Sequence, residues 1–392
     1  MQRGTFQLMK SVNKSIILNK IRTAEPISRA QIAKDTKLTP PTVSNIVKEL
    51  IDQGLVVESD SGQSMGGRKP TMLHINRTAF YIIGVDAGPD NIVSIVTDLS
   101  GTIIKRNEKK LPTRLTNDTF LTYLKNSIHT IIAETPLNRS EILGIGIGMH
   151  GVVDVDNGTS LFAPNLGLTN VPIKEALEEE FDVLIKVEND ARAMALGEAW
   201  FGGHGDIDSM VAVNIGRGVG AGIVVDGKLY HGSQDIAGEI GHMTIDMHGK
   251  VCTCGNQGCL QTFATGSAIA NRAQERLLES GVSEAMRLTG ESVYALAKAG
   301  NTIYEEVLIE TGVYIGVGLT NLIHLVNPKK IVLGGGVMNS AQYILPSIKQ
   351  TIAQRALTPD AKQTEVVVTT LGEDATLLGA VSLLLVELFE RK

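Results

Sequence analysis

Two kinds of apolar pattern divide the chain. In the first eighty residues apolar side chains recur at helical spacing between short polar breaks, which predicts three helices followed by a wing. Residues 13–22 place Ile16, Ile17 and Ile21 on the inner face of a first helix. Ser28 reads as the N-cap of a second, with Ile32 and Ala33 inward, and Lys37-Leu38 as a short turn. A third helix opens with Thr39 as cap and takes Pro40 and Pro41 in its first turn, where a missing N–H leaves no bond unmade; Gly54 stops it. Val43, Ile46, Val47, Leu50 and Ile51 share one face of it, leaving Pro41, Thr42, Ser44, Asn45 and Lys48 outward. Residues 55–57, a Gly- and Ser-rich loop at 60–67, Arg68-Lys69-Pro70 and strand-like residues 71–75 complete the outline of a winged helix-turn-helix.

Beyond residue 80 the pattern becomes one of strand runs bounded by glycine, with helices between them. Residues 81–85 lead into Asp86-Ala87-Gly88-Pro89-Asp90, residues 92–97 and 102–106 continue a meander, and a helix follows at 120–133 with Phe120, Leu124, Ile128 and Ile131 on one face. A second cycle starts at 210–215, turns through the glycine run Arg217-Gly218-Val219-Gly220-Ala221-Gly222 and returns at 223–225 and 228–230. The two cycles read as internal copies, as in two ribonuclease-H-like lobes, and residues 331–337 add a late strand with a glycine turn. Gly218-Val219-Gly220 and Gly334-Gly335-Gly336 suit either two walls of a nucleotide pocket, cradling phosphate through backbone N–H groups, or purely structural turns.

At 392 residues the chain exceeds what one core usually supports, and a mean hydropathy of +0.09 describes a soluble globular protein. Charge adds a division: residues 1–80 hold 12 Lys and Arg against 6 Asp and Glu, whereas the remainder holds 24 against 36. A basic module on an acidic body suits double-stranded DNA as a partner. The third helix would then enter the major groove, Asn45 and Lys48 reading bases or phosphates with Thr42 and Ser44 beside them, while Arg29 grips phosphate and Arg68 and Lys69 reach the backbone or minor groove. The bland alternative is a small three-helix domain with a solvated face. With no apolar leader, and a C-terminal apolar run at 375–389 that is short and interrupted by Glu387, the expected location is the cytoplasm, with no membrane partner.

All three cysteines fall in the stretch VCTCGNQGCLQTF, residues 251–263, shortly after the histidine of Gly238-Glu239-Ile240-Gly241-His242. Cys252, Cys254 and Cys259 with His242 can complete a tetrahedral shell of three sulfurs and one nitrogen, which suits zinc. Four protein ligands leave no position for an activated water, so the metal is expected to be structural. Packed, reduced cysteines beside an ordinary loop histidine are the alternative.

These residues resemble the ROK family of bacterial sugar kinases and sugar-responsive repressors: 238–242 is similar to its ExGH motif and 252–259 to its CxCGxxGC motif. The resemblance extends over Glu188-Asn189-Asp190-Ala191 to Gly197-Glu198, over 216–222 and over 334–337, and the helix-turn-helix extension is similar to that of the repressor branch. It implies an α/β, actin-like two-lobed fold, with sugar in the interlobe cleft and zinc bracing the loop that positions sugar-binding residues. Asn165, Asn189, Asp190, Glu239 and His242 are the implied sugar contacts, with Gln261 standing where the family has a glutamate; His242 would touch sugar with one ring nitrogen and zinc with the other. In the kinases the aspartate matching Asp190 is the general base on the attacking hydroxyl.

Departures weigh against phosphoryl transfer. Where the kinases have Asp-x-Gly-Gly-Thr, Pro89 removes an N–H and Asp90 brings a negative charge to the first phosphate turn, and Arg217 replaces the usual threonine of the second. The expectation is a non-enzymatic repressor, homodimeric or larger, that leaves its operator when a small neutral sugar binds. Residues 62–70 and 241–246 are most similar to the xylose repressors of the family, which makes xylose the first candidate; glucose or another aldose, or control by a phosphotransferase-system protein in place of free sugar, stays open. The alternative is an ATP-dependent sugar kinase carrying a DNA-binding arm. The expected domains are the winged helix at 1–80, a first lobe at 81–195 completed by 375–392, and a second lobe at 196–374 that holds the zinc site and an oligomerisation surface.

Overall fold

A computed structural model describes residues 12–59, 71–205, 208–281 and 287–390. The chain divides into two compact units, one running to Asp190 and taken up again from Ala380, the other spanning Ala191–Gly379.

The first unit opens with a winged helix. Helix α1 (Val12–Ala24) buries Ile17, Leu18 and Ile21. Ile16, expected inward, is 41 % exposed, because the buried face follows positions 14, 17, 18 and 21 and the neighbouring residue points away from it. Buried Lys14 on that face pairs with Glu49 at 3.2 Å. After β1 (Ile27–Ser28), the Ser28 hydroxyl accepts from the Gln31 N–H and caps α2 (Arg29–Thr36), which ends where Lys37 turns left-handed. Thr39 caps α3 (Pro40–Asp52), whose Val43, Val47 and Leu50 are buried. Strands β2 (Val56–Ser59) and β3 (Met72–Ile75) complete a three-stranded sheet in the order β1-β3-β2. Arg68 and Lys69, with most of the wing loop, lie outside the described residues.

The rest of the first unit is built on a five-stranded sheet. Strands β4 (Tyr81–Ala87), β5 (Asn91–Asp98) and β6 (Ile103–Lys110) form an antiparallel meander, and α4 (Asn117–Ala133) covers it with Phe120, Leu124, Ile128 and Ile131. Strand β7 (Ile142–Met149) then pairs with β4 in parallel. A small sheet of β8 (Val152–Asp154), β9 (Thr159–Ala163) and β10 (Leu168–Val171) and the short α5 (Ile173–Glu178) intervene before β11 (Leu184–Asn189) adds in parallel to β7. The order is β11-β7-β4-β5-β6.

The second unit repeats this plan. Helix α6 (Asp190–Phe201) leads to the meander β12 (Ser209–Ile215), β13 (Val219–Val225) and β14 (Lys228–Tyr230). Helices α7 (Gln261–Ala264), α8 (Gly266–Glu279), α9 (Gly290–Lys298) and α10 (Thr302–Val326) follow. Strand β15 (Lys330–Gly334) pairs with β12 in parallel, and after α11 (Ala341–Arg355) comes β16 (Glu365–Val368), ahead of the C-terminal α12 (Ala375–Phe389). The order β14-β13-β12-β15-β16 has the same connectivity as the first sheet, so the two cycles are copies of one unit, the repeat of an actin-like fold.

Two further details bear on the sequence reading. Gly220 and Gly222 lie inside β13 rather than in a turn, and the turn shrinks to Gly216–Gly218. The reason is close packing: a Cβ at Gly222 would stand 2.3 Å from the Ala195 Cβ of α6. Helix α10, at 25 residues, is long and apolar enough to cross a membrane by length and composition, yet 61 % of its most apolar window is buried within the protein. It packs tightly on α11, since a Cβ at Gly312 would lie 2.5 Å from the Ile344 carbonyl oxygen.

Candidate functional sites

His242, Cys252, Cys254 and Cys259 each bring a ligand atom within 4.8 Å of the others. A backbone knuckle sets the spacing: the Cys252 N–H donates to the Asn256 carbonyl at 2.7 Å and the Gly258 N–H to Lys250 at 2.9 Å. Only glycine fits at 258, where φ is +70° and a Cβ would lie 1.5 Å from the Asp246 carbonyl oxygen. His242 ends a short 3₁₀ turn, its Nδ1 3.7 Å from the Cys252 Sγ, and the Cys254 and Cys259 sulfurs are also 3.7 Å apart. A tetrahedral ion with bonds of about 2.3 Å to sulfur and about 2.0 Å to nitrogen needs edges of roughly 3.5–3.8 Å, the length of these two, and groups no more than 4.8 Å apart could close around one such ion with small side-chain shifts.

The cysteines of the cluster differ electrostatically. Burial, with hydrogen bonds to the other cysteines, pushes the Cys259 thiol up to about 12. Burial also opposes ionisation of Cys252, but hydrogen bonds from Cys254, Gln261 and His242 outweigh it and bring that thiol down to about 6. The Gln261 amide nitrogen donates to the Cys252 sulfur at 3.0 Å, so this residue supports the cysteine cluster, a task that a glutamate could not perform as a donor.

In the first unit Asn165, Asn189 and Asp190 form one hydrogen-bonded chain through a residue that the sequence reading did not single out, His150. Asp190 opens α6 directly after β11, where the helix N-terminus favours its charge. The Asn189 Nδ2 donates to the Gly151 carbonyl at 2.8 Å and to Asp190 Oδ1 at 3.0 Å. On the other side His150 Nδ1 stands 3.4 Å from Asp190 Oδ2, and Asn165 Nδ2 stands 2.9 Å from His150 Nε2. Asp86, at the end of β4, is pushed up to about 7 by burial and by the neighbouring Asp190 charge, which His150 and Arg106 partly offset. The one signal for His150 in the sequence is its place just past the apolar run of β7, at the carboxyl end of a parallel strand, where α/β proteins gather ligand groups. Glu239, His242 and Gln261 belong to the second unit.

On α3, Ser44, Asn45 and Lys48 are exposed, and the first turn carries no acid. Thr42 is half-buried and its hydroxyl lies 2.8 Å from that of Thr39, which makes it part of the helix cap. Arg29 is paired with Glu58 of β2.

Residues 82–387 match the ROK family and residues 11–63 the MarR family. A xylose repressor from Caldicellulosiruptor bescii is 33% identical over 389 residues, 97% of each chain. Among solved structures, a ROK family transcriptional regulator described as a homolog of the E. coli MLC protein superposes with a TM-score of 0.83 at 28% identity, covering 97% of this chain and 99% of its own. A ROK family glucokinase from Streptomyces griseus, in complex with glucose and AMPPNP, superposes with a TM-score of 0.69 at 28% identity over 77% of this chain and 98% of its own. The shared motifs, the repeated sheet and the match over residues 82–387 make this chain a member of the ROK family.

Proposed function

We propose that the chain is a transcriptional repressor that binds double-stranded operator DNA through its winged helix and is released by a small neutral sugar, xylose being the first candidate. The observation that carries this reading is the uncovered polar face of α3 on a chain similar along 97% of its length to a xylose repressor. Asn45 and Lys48 are the proposed base and phosphate readers, with Ser44, Arg29, Arg68 and Lys69 around them. Asn165, Asn189, Asp190, Glu239 and His242 are the proposed sugar contacts; amides and carboxylates suit hydroxyls, each of which both donates and accepts. Release requires sugar to bind the DNA-free form more tightly, by about 1–3 kcal/mol for an ordinary coupling.

His242, Cys252, Cys254 and Cys259 would hold zinc, which supplies cross-linking and no open coordination position. Hydrogen bonds from Cys254, with Gln261 and His242 beside it, favour the Cys252 thiolate that a zinc ion would need. A dimer reading two half-sites, and control by a phosphotransferase-system protein, extend the same proposal.

Calorimetric titration with xylose, glucose, N-acetylglucosamine and ATP tests it. Binding of one sugar, with loss of that protein from its operator, supports the reading; silence from all three sugars sinks it. A sugar kinase with a DNA-binding arm is the second reading, favoured by retained Asp190 and by the likeness to the Streptomyces glucokinase. Phosphate transfer from ATP to any of these sugars would establish it.

A further inference from the structure

We propose that His150 is a positioning residue of the effector site, holding Asn165 and Asp190 at a fixed spacing so that they meet a sugar as one donor–acceptor pair. This rests on the reading of Asn165 and Asp190 as sugar contacts.

The hydrogen-bond directions follow from chemistry. An amide nitrogen only donates, so His150 Nε2, 2.9 Å from Asn165 Nδ2, must accept. In the neutral form of the ring the proton is then on Nδ1, which points at Asp190 Oδ2 from 3.4 Å. The other carboxylate oxygen takes the Asn189 amide, itself tied to the Gly151 carbonyl, and the His150 N–H is anchored on the Ala87 carbonyl at 3.2 Å. Asn165 sits on an exposed loop between β9 and β10, where a loose amide would sample several rotamers; tethering it before sugar arrives lowers the ordering cost of binding. The tether also places an N–H donor on the carboxylate that would otherwise be a general base, which suits a carboxylate that recognises hydroxyls rather than deprotonating them.

Protonating the ring puts a hydrogen on Nε2 that the Asn165 amide can meet only by turning over to offer its oxygen, so the edge Asn165 presents to a sugar is reversed. The charged groups acting here are Asp190 on α6, Asp86 on β4 and, through Asp86, Arg106 on β6. Asp86 titrates near 7, so Asp86→Asn is measured alongside to separate its contribution from that of His150.

The test is calorimetric titration of the full chain with xylose, glucose and N-acetylglucosamine at about pH 8 and about pH 5.5, together with melting temperatures. Wild type should bind one sugar, more weakly at acid pH. His150→Ala should lose about 30-fold or more in affinity and His150→Asn and His150→Gln, each keeping one half of the tether, about tenfold, with unchanged melting temperatures and a flatter pH profile. The acid loss should persist in Asp86→Asn. Affinity within about threefold of wild type in His150→Ala, or in both other variants should that one melt early, overturns the proposal while leaving sugar binding intact. No binding of any sugar by wild type overturns the sugar reading and this proposal with it.

Discussion

The Arg29 guanidinium lies 2.6 Å from the Glu58 carboxylate, so the cation proposed to grip phosphate is already paired inside the winged helix. Both side chains are partly exposed, and such a pair is worth at most about 1 kcal/mol, little enough for a phosphate to compete for Arg29. Glu58 then opposes DNA binding. Glu58→Gln should tighten duplex binding about twofold to fivefold in fluorescence anisotropy, and Arg29→Ala should weaken it. Unchanged affinity in both would remove Arg29 from the interface.

Asn45 and Lys48 are both exposed on α3 but should fail differently. Lys48→Ala should weaken binding to all duplexes and lower the slope of log affinity against log salt by about one. Asn45→Ala should cost about 1–3 kcal/mol at one base position and leave the salt slope alone. Anisotropy with an operator and its single-base variants, across a salt series, separates the two.

Features written locally along the chain were legible. Ser28 and Thr39 announce helix starts because a cap acts within three residues, and the cysteine knuckle is legible because its turns and ligands lie within one short segment. Relationships between distant segments were not. The Glu58 partner of Arg29 and the place of His150 between Asn165 and Asp190 depend on strand pairing and loop return, which no spacing encodes. The glycines of β13 looked like a turn because glycine serves tight turns and close helix contacts alike, and only α6 lying against Gly222 decides between them.

Asp86 should give the first unit a pH dependence of definite sign. An unfolded aspartate titrates near about 4, whereas Asp86 in the fold titrates near 7, so between those values the folded chain keeps a proton that the unfolded chain has released. The stability this supplies is complete below about pH 4 and is lost as pH rises through about 7. Asp86→Asn should therefore stabilise at pH 8, by up to about 4 kcal/mol, and have little effect near pH 4. Melting curves of both proteins across that range decide it; parallel pH profiles would assign the titration elsewhere.

Removal of metal should loosen the cysteine knuckle. Purified protein should carry one zinc per chain by elemental analysis, and chelation should lower the melting temperature, with a stability loss of about 3 kcal/mol or more. Cys254, the exposed member of the three, is the natural point for metal loss, so Cys254→Ser should release zinc to a weaker chelator than wild type requires. A melting temperature indifferent to chelator would leave the knuckle as packed thiols.

The contact of α10 with α11 at Gly312 bears on how the chain is made. Residues 302–326 emerge from the ribosome before residues 341–355 emerge to cover them, and in that interval an apolar helix of bilayer-spanning length presents the small-residue face that lipid-embedded helices use for pairing. Because α11 begins at Ala341, the interval is short. Where such a segment comes to rest then depends on the protein surface that covers it as well as on its composition.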